Sequence, residues 1–109
     1  MFLKDWSEKS LNAVAEEVAQ AYHAAKRQVN KTRATDNFAL EKNQVYQDNL
    51  EFLFAVDSAM MTLDSNEQMI IRNSYLRPQE KDWYLKFFAR STFYRLKKKA
   101  LIKFLKALR

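Results

Sequence analysis

Glycine and cysteine are absent from this 109-residue sequence, and proline occurs once. Each absence removes a class of structure. Without glycine, tight turns and bulges that need positive φ are scarce, which disfavours an all-β domain. A glycine loop that cradles phosphate cannot be built either. Without cysteine there is neither a disulfide framework nor a thiolate metal site. No run reaches the roughly eighteen apolar residues of a membrane span, so no membrane association is expected. The opening "MFLKDWSEKS" puts charges where a signal peptide needs an apolar core, and the expected location is the cytoplasm. Asn30-Lys31-Thr32 matches a glycosylation sequon, but so short a pattern arises by chance and nothing else suggests secretion.

A further absence is local: no carboxylate follows Asp82. Residues 1–82 hold ten Lys/Arg against thirteen Asp/Glu, a balance of −3, whereas residues 83–109 hold nine Lys/Arg and no acid, a balance of +9. The net charge of +6 hides this division. Charge so concentrated is a local electrostatic feature rather than general tuning of solubility. The plain alternative is a basic helix that is merely soluble.

What is present favours helix: Ala, Leu, Lys, Glu and Gln are abundant, and 48% of residues are apolar, enough for a modest core in one domain. The expected fold is all-α and spans 1–109, with about five helices. An N-terminal helical hairpin should occupy residues 1–63 and a helix-turn-helix residues 64–109. Leu11, Val14, Val18, Ala21, Tyr22, Ala25 and Val29 recur at three- and four-residue steps, the stripe of an amphipathic helix from about Ser7 to Arg33. Ser7 is a candidate cap for it, and Thr35 or Asp36 for the next helix. That second helix should run from Phe38 to about Leu63. Its half "LEFLFAVDSAMMTL" is apolar around most of its circumference, which predicts the central, most buried element. Met60 and Met61 read as core filler.

Ser65 and Gln68 fit a capping box that opens a short helix from Asn66 to about Tyr75 or Leu76. Pro78 suits the first turn of another, from about Gln79 to Phe88, which presents Trp83, Leu85, Phe87 and Phe88 for packing. A final helix begins near Arg90. Along it Phe93, Leu96, Ala100, Phe104 and Leu108 form one stripe, flanked by Leu101, Leu105 and Lys97. Ser91, Arg95, Lys98, Lys106 and Arg109 fall opposite, with Thr92 and Lys99 beside them. Ile102 breaks the pattern by pointing outward among the lysines.

Short helix, connection, short helix, brief turn and long basic helix make the order of a helix-turn-helix, whose last helix enters the major groove of DNA. Base edges are distinguishable there. The residues nearest the helix start, Ser91, Thr92, Tyr94 and Arg95, are the candidate base readers, with Arg95 able to reach guanine in bidentate fashion. Arg90, Lys98, Lys99 and Lys106 suit phosphates, where they give affinity without sequence information.

The run "RSTFYRLKKKAL" resembles the C-terminal segment of ArpU-like regulators from phages and prophages of Gram-positive bacteria, in which a "SRSTYYRLKKKAL"-like run is typical. The same region is similar to region four of sigma factors, a helix-turn-helix that binds promoter DNA. The likeness covers about residues 63–105, including "EQMIIRNSYL". It implies a sequence-specific transcriptional regulator of phage late genes, such as those for packaging or lysis. It also implies that Arg90, Ser91, Thr92, Tyr94 and Arg95 occupy the start of the recognition helix. Contact with RNA polymerase, as sigma-like modules make, belongs to the same expectation. Ala89 departs from the pattern, standing where family members tend to have a Ser cap, and leaves Ser91 as the alternative cap.

Other chemistry finds little support. His23 is the one histidine and lies among alanines, too few ligands for a metal site. Glu16 and Glu17 are adjacent and so diverge on a helix, and Ser91 has no candidate base beside it. Neither an enzyme nor a cofactor is expected. Lys26, Arg27, Lys31 and Arg33 end the first helix, where cations offset the macrodipole; a further phosphate contact is the sharper reading. Trp6 and Trp83 read as packing residues rather than stacking platforms for single strands. Two classes remain: a regulator that binds double-stranded DNA, commonly as a homodimer, and a protein-interaction module or inhibitor whose basic helix docks an acidic partner.

Overall fold

The structure, a computed structural model, describes residues 8–35 and 43–108. The protein is all-α, with no strand among the described residues. It has four α-helices: α1 (Glu8–Thr35), α2 (Gln44–Met61), α3 (Ser65–Ile71) and α4 (Arg90–Ala107). A wider π-type turn, Arg72–Leu76, prolongs α3, and one 3₁₀ turn, Trp83–Lys86, interrupts the connection to α4. Trp6, Ser7, Asp36, Arg109 and the expected start of the second helix at Phe38 lie outside the described residues. Among the described residues no helix is long and apolar enough to cross a membrane.

The main core gathers Leu11, Ala15 and Ala19 of α1, Val56, Ala59 and Met60 of α2, Ile71 of α3, and Ala100, Leu101, Phe104 and Leu105 of α4. Tyr75 and Leu76 of the π turn complete it. The buried line of α1 differs from the predicted stripe: Ala15 and Ala19 are buried and Ala21 is exposed. α1 packs against both α2 and α4. Small side chains at 15 and 19 let two neighbours approach one helix closely, so the wall is drawn by alanines as much as by Val14, Val18 and Tyr22, which are half-buried.

α2 is not the central element. Phe54 is 73% and Met61 79% exposed, and Val45 also faces solvent. The helix is covered on the side of Tyr46, Val56, Ala59 and Met60 alone, because α1 and α4 lie there and no described segment covers its back. Its cap also differs from expectation. Thr35 belongs to the end of α1, where its hydroxyl donates to the Lys31 carbonyl at 2.9 Å. Asn43 starts α2 instead, its Oδ1 accepting from the Tyr46 N–H at 3.0 Å.

The capping box of α3 sits one residue earlier than predicted. Asp64 Oδ1 accepts from the Glu67 N–H at 2.8 Å, and Glu67 Oε1 accepts from the Asp64 N–H at 2.9 Å. Gln68 instead donates to the Leu63 carbonyl at 3.0 Å. Glu67 is only 2% exposed, and Lys103 of α4 donates to the same Oε1 at 2.8 Å. One carboxylate oxygen therefore starts α3 and ties it to α4, while Oε2 has no hydrogen-bond partner.

Beyond α3 the backbone widens. Arg77 N–H donates to the Arg72 carbonyl at 2.7 Å and Gln79 N–H to the Asn73 carbonyl at 3.0 Å. This ends the helix before Pro78, which cannot continue it, and turns Tyr75 and Leu76 into the core. The Tyr75 phenol donates to Asn12 of α1, and His23 Nε2 lies 3.3 Å from the Tyr75 carbonyl oxygen. The single histidine is thus a tie between α1 and the π turn.

The expected helix from Gln79 to Phe88 is not formed. Bonds of three-residue reach run from Trp83 N–H to the Glu80 carbonyl, Leu85 to Asp82 and Phe87 to Tyr84, so the segment tightens into one 3₁₀ turn. Aromatic packing overrides helix propensity. Tyr84 lies flat on Phe93, with ring centroids 3.8 Å apart and planes at 5°, while Trp83 meets Phe93 edge-on at 5.7 Å. Such pairs add about 0.5–1.5 kcal/mol each beyond area burial. Tyr84, Phe93 and Ile70 make a second small core, against which Trp83, Phe88 and Leu96 pack.

Three stability measurements follow from this packing. Phe104→Ala should cost about 3–5 kcal/mol in urea unfolding, since the ring is fully buried. Asp64→Ala should cost about 1 kcal/mol through loss of the cap. The Tyr75 phenol is held above its ordinary value of 10.0, first by burial and then by the Glu16 carboxylate. Above pH 10.0 the unfolded chain loses a proton that the folded chain keeps, so this contribution is full below that pH and declines as pH rises towards the folded value. Tyr75→Phe should remove that part of the alkaline fall in the urea midpoint; an unchanged fall would exclude Tyr75 as its source.

Candidate nucleic-acid interface

α4 starts at Arg90, with Ala89 in extended conformation and no side-chain cap. Ser91 does not replace the missing cap: the helix is not shortened, and the Phe93 N–H already donates to the Ala89 carbonyl at 2.9 Å. Aromatic contacts take the cap's place in fixing the entry of the chain. Phe93 is clamped by Tyr84 and Trp83, and Arg90 Nη1 donates to the Tyr84 hydroxyl at 3.1 Å. The Tyr84 phenol is raised above its ordinary value, first by its hydrogen bond with Tyr94 and then by burial. Sequence reading missed Tyr84. Its signal is present only in combination with Phe93, nine positions later.

The two sides of α4 are sharply divided. Phe93, Ala100, Leu101, Phe104 and Leu105 are buried. Arg90, Ser91, Arg95, Lys98, Lys99 and Lys106 are exposed, Thr92 is half-buried, and Tyr94 is 43% exposed. The four candidate base readers therefore share the first two turns of α4. Ser91 and Arg95 are on its outer side. Tyr94 lies on the flank towards α1, beside Lys9 and Asn12. The Tyr94 ring meets Phe93 at 5.2 Å and Tyr84 at 6.0 Å, both edge-on.

Ile102 corrects another expectation. It is half-buried and packs against the main core rather than standing among the lysines.

Glu67 and Lys103 form an ion pair at 2.8 Å. Lys103 is thus drawn back to α3, a role that sequence reading did not assign it. Lys97 lies over the rings of Tyr75 and Phe93, at 5.4 and 5.8 Å from their centroids. No described carboxylate is paired with Arg95, Lys98, Lys99 or Lys106. Four cations on one outward face repel one another, and water and salt screen them. That face can hold a polyanion.

The second basic patch lies on another helix. Lys26, Arg27, Lys31 and Arg33 end α1, where Arg33 Nε donates to the Tyr46 hydroxyl at 2.7 Å and Lys26 lies over the Tyr22 ring. Trp83 is half-buried in the aromatic cluster. No family model, curated protein or solved structure matches the chain.

The aromatic clamp can be tested by itself. Tyr84→Phe removes the hydroxyl bonds to Arg90 and Tyr94 and keeps the stack, so near-ultraviolet circular dichroism should be retained. Tyr84→Ala removes the stack as well, and should abolish the tertiary aromatic signal while helicity persists. Loss of signal in the Phe variant would mean that the hydroxyl, not the stack, fixes α4.

Proposed function

We propose that the protein is a sequence-specific regulator of transcription that binds double-stranded DNA, with α4 lying in the major groove. The observation that carries this reading is the outer face of α4, where Arg95, Lys98, Lys99 and Lys106 have no described carboxylate partner while the inner side is buried. A polyanion of regular geometry satisfies such a face, and the major groove is wide enough to admit an α-helix. The resemblance of "RSTFYRLKKKAL" to ArpU-like regulators supports the same reading, with phage or prophage genes for packaging or lysis as the regulated class. RNA polymerase and a second copy of the chain are further partners under this reading.

The roles follow position. Ser91, Thr92, Tyr94 and Arg95 reach base edges from the first two turns, and Arg90, Lys98, Lys99 and Lys106 meet phosphates. Exposed Leu85 and Phe87, in the connection before α4, favour a second reading, in which α4 and this apolar pair dock an acidic protein.

Fluorescence anisotropy with random duplex DNA at low and moderate salt separates the two. DNA binding should weaken steeply as salt rises, because counterions are released. No binding, or a log–log slope near zero, supports the second reading. Arg95→Ala should cost about 1–3 kcal/mol on the preferred site and relax preference at one base pair. Replacing Lys98 and Lys99 together by Ala should weaken all duplexes alike and reduce the salt slope by about 2; an unchanged slope removes both from the phosphate contacts.

A further inference from the structure

Between the first turns of α1 and the middle of α4 lies a hollow of about 270 Å³, lined by Lys9, Asn12, Tyr94, Lys97, Lys98 and Leu101. Lys9 and Asn12 stand one turn apart on α1, and Tyr94, Lys98 and Leu101 follow one another along a single flank of α4. Three ammonium side chains thus line one recess, and no described carboxylate does. The larger hollow beside the 3₁₀ turn differs, since Glu80 and Asp82 line it together with Lys81 and Lys86.

The walls of the α1–α4 recess are held by interior contacts. Asn12 is used at both ends: its Oδ1 accepts from the Tyr75 phenol, and its Nδ2 donates to Glu16 Oε1 at 3.3 Å. The Glu16 carboxylate, one turn further along α1, is therefore engaged with Asn12. Lys97 is held over the Tyr75 and Phe93 rings. Leu101 is buried and forms an apolar floor, whereas Lys9 and Lys98 are exposed at the rim. The volume falls just below the roughly 300–1,000 Å³ of sites that enclose a drug-sized ligand. It suits one projecting anionic group.

We propose that this recess binds a phosphate group, with Lys9 and Lys98 as its cationic rim. The inference deepens the DNA-binding reading. On a duplex, the group is a backbone phosphate beside the groove that α4 occupies, and Lys9 becomes a contact supplied by the N-terminal hairpin. The same chemistry serves a free phosphorylated molecule. Lys9 is invisible as a contact in sequence, because "SEKS" reads as an ordinary mixed-charge helix start and lies far along the chain from the basic run.

The test uses the full chain and two probes. For a random duplex, Lys9→Gln should lower the salt slope by about 0.9, the value of one phosphate contact. Lys9 and Lys98 substitutions should combine non-additively, since they share one group. Lys31→Gln, about 33 Å further along α1, is the charge control and should leave the slope unchanged. Inorganic pyrophosphate, titrated at millimolar concentration, is followed by amide chemical shifts of Lys9, Tyr94 and Lys98.

A slope change with duplex, without saturable shifts from pyrophosphate, assigns the recess to the nucleic-acid backbone. Saturable shifts that Lys9→Gln abolishes, without an effect on duplex binding, assign it to a free phosphate. If wild-type protein binds no duplex at all, the DNA reading fails while the pyrophosphate arm still decides the recess. An equal slope change from Lys31→Gln, or no effect of Lys9→Gln on either probe, overturns the proposal.

Discussion

α4 is the helix against which α1, α2, α3 and the 3₁₀ turn all pack, and the constraint this imposes governs the rest of the molecule. Its inner residues, Phe93, Ala100, Leu101, Phe104 and Leu105, must be shielded from water for either core to exist. Burying them fixes the rotation of the helix about its axis. The outward direction of Arg95, Lys99 and Lys106 is then no separate design decision, because residues a half-turn away from a buried stripe have nowhere else to go. Charge presentation at the surface is thus enforced by apolar packing within. The two ends are pinned by different means, aromatic stacking at Phe93 and the Glu67–Lys103 pair nearer the C-terminus.

The helical class and the inward stripe of α4 were legible in the sequence, because both rest on local periodicity. Phe93, Ala100 and Phe104 needed only their spacing to be read as core. What failed depended on distant partners. α2 reads as buried all round, yet Phe54 and Met61 lie bare, since periodicity reports how apolar a face is and not whether a neighbour arrives to cover it. The 79–88 segment has helix-forming residues, but Tyr84 lies flat on Phe93, a partner nine positions away that local propensity does not report. A shift of one residue in the α3 capping box falls within the ambiguity of "LDSNEQ", where Asp64 and Ser65 both suit the cap. For the interface, the outward lysines were legible and Lys103 was not: its carboxylate partner lies 36 positions away.

The division of labour between the two halves of the chain is electrostatic as well as structural. α2 carries Asp48, Glu51 and Asp57 and no Lys or Arg, while α4 carries seven basic residues and no acid. Opposite signs on different helices, with little pairing between them, give the molecule a strong internal polarity. A division of charge of this kind acts over a longer range at low ionic strength, where screening is weak.

Glycine is absent from the sequence, and the described backbone does without it. No described residue takes a positive φ: both the three-residue corner between α2 and α3 and the thirteen-residue path from Leu76 to Arg90 are made without one. A polypeptide without glycine also explores fewer shapes when denatured, each Gly-to-Ala exchange at a compatible site being worth about 0.4–1 kcal/mol through that effect alone. Part of this small domain's resistance to unfolding therefore resides in the narrowness of its disordered ensemble and not in any contact of its native form.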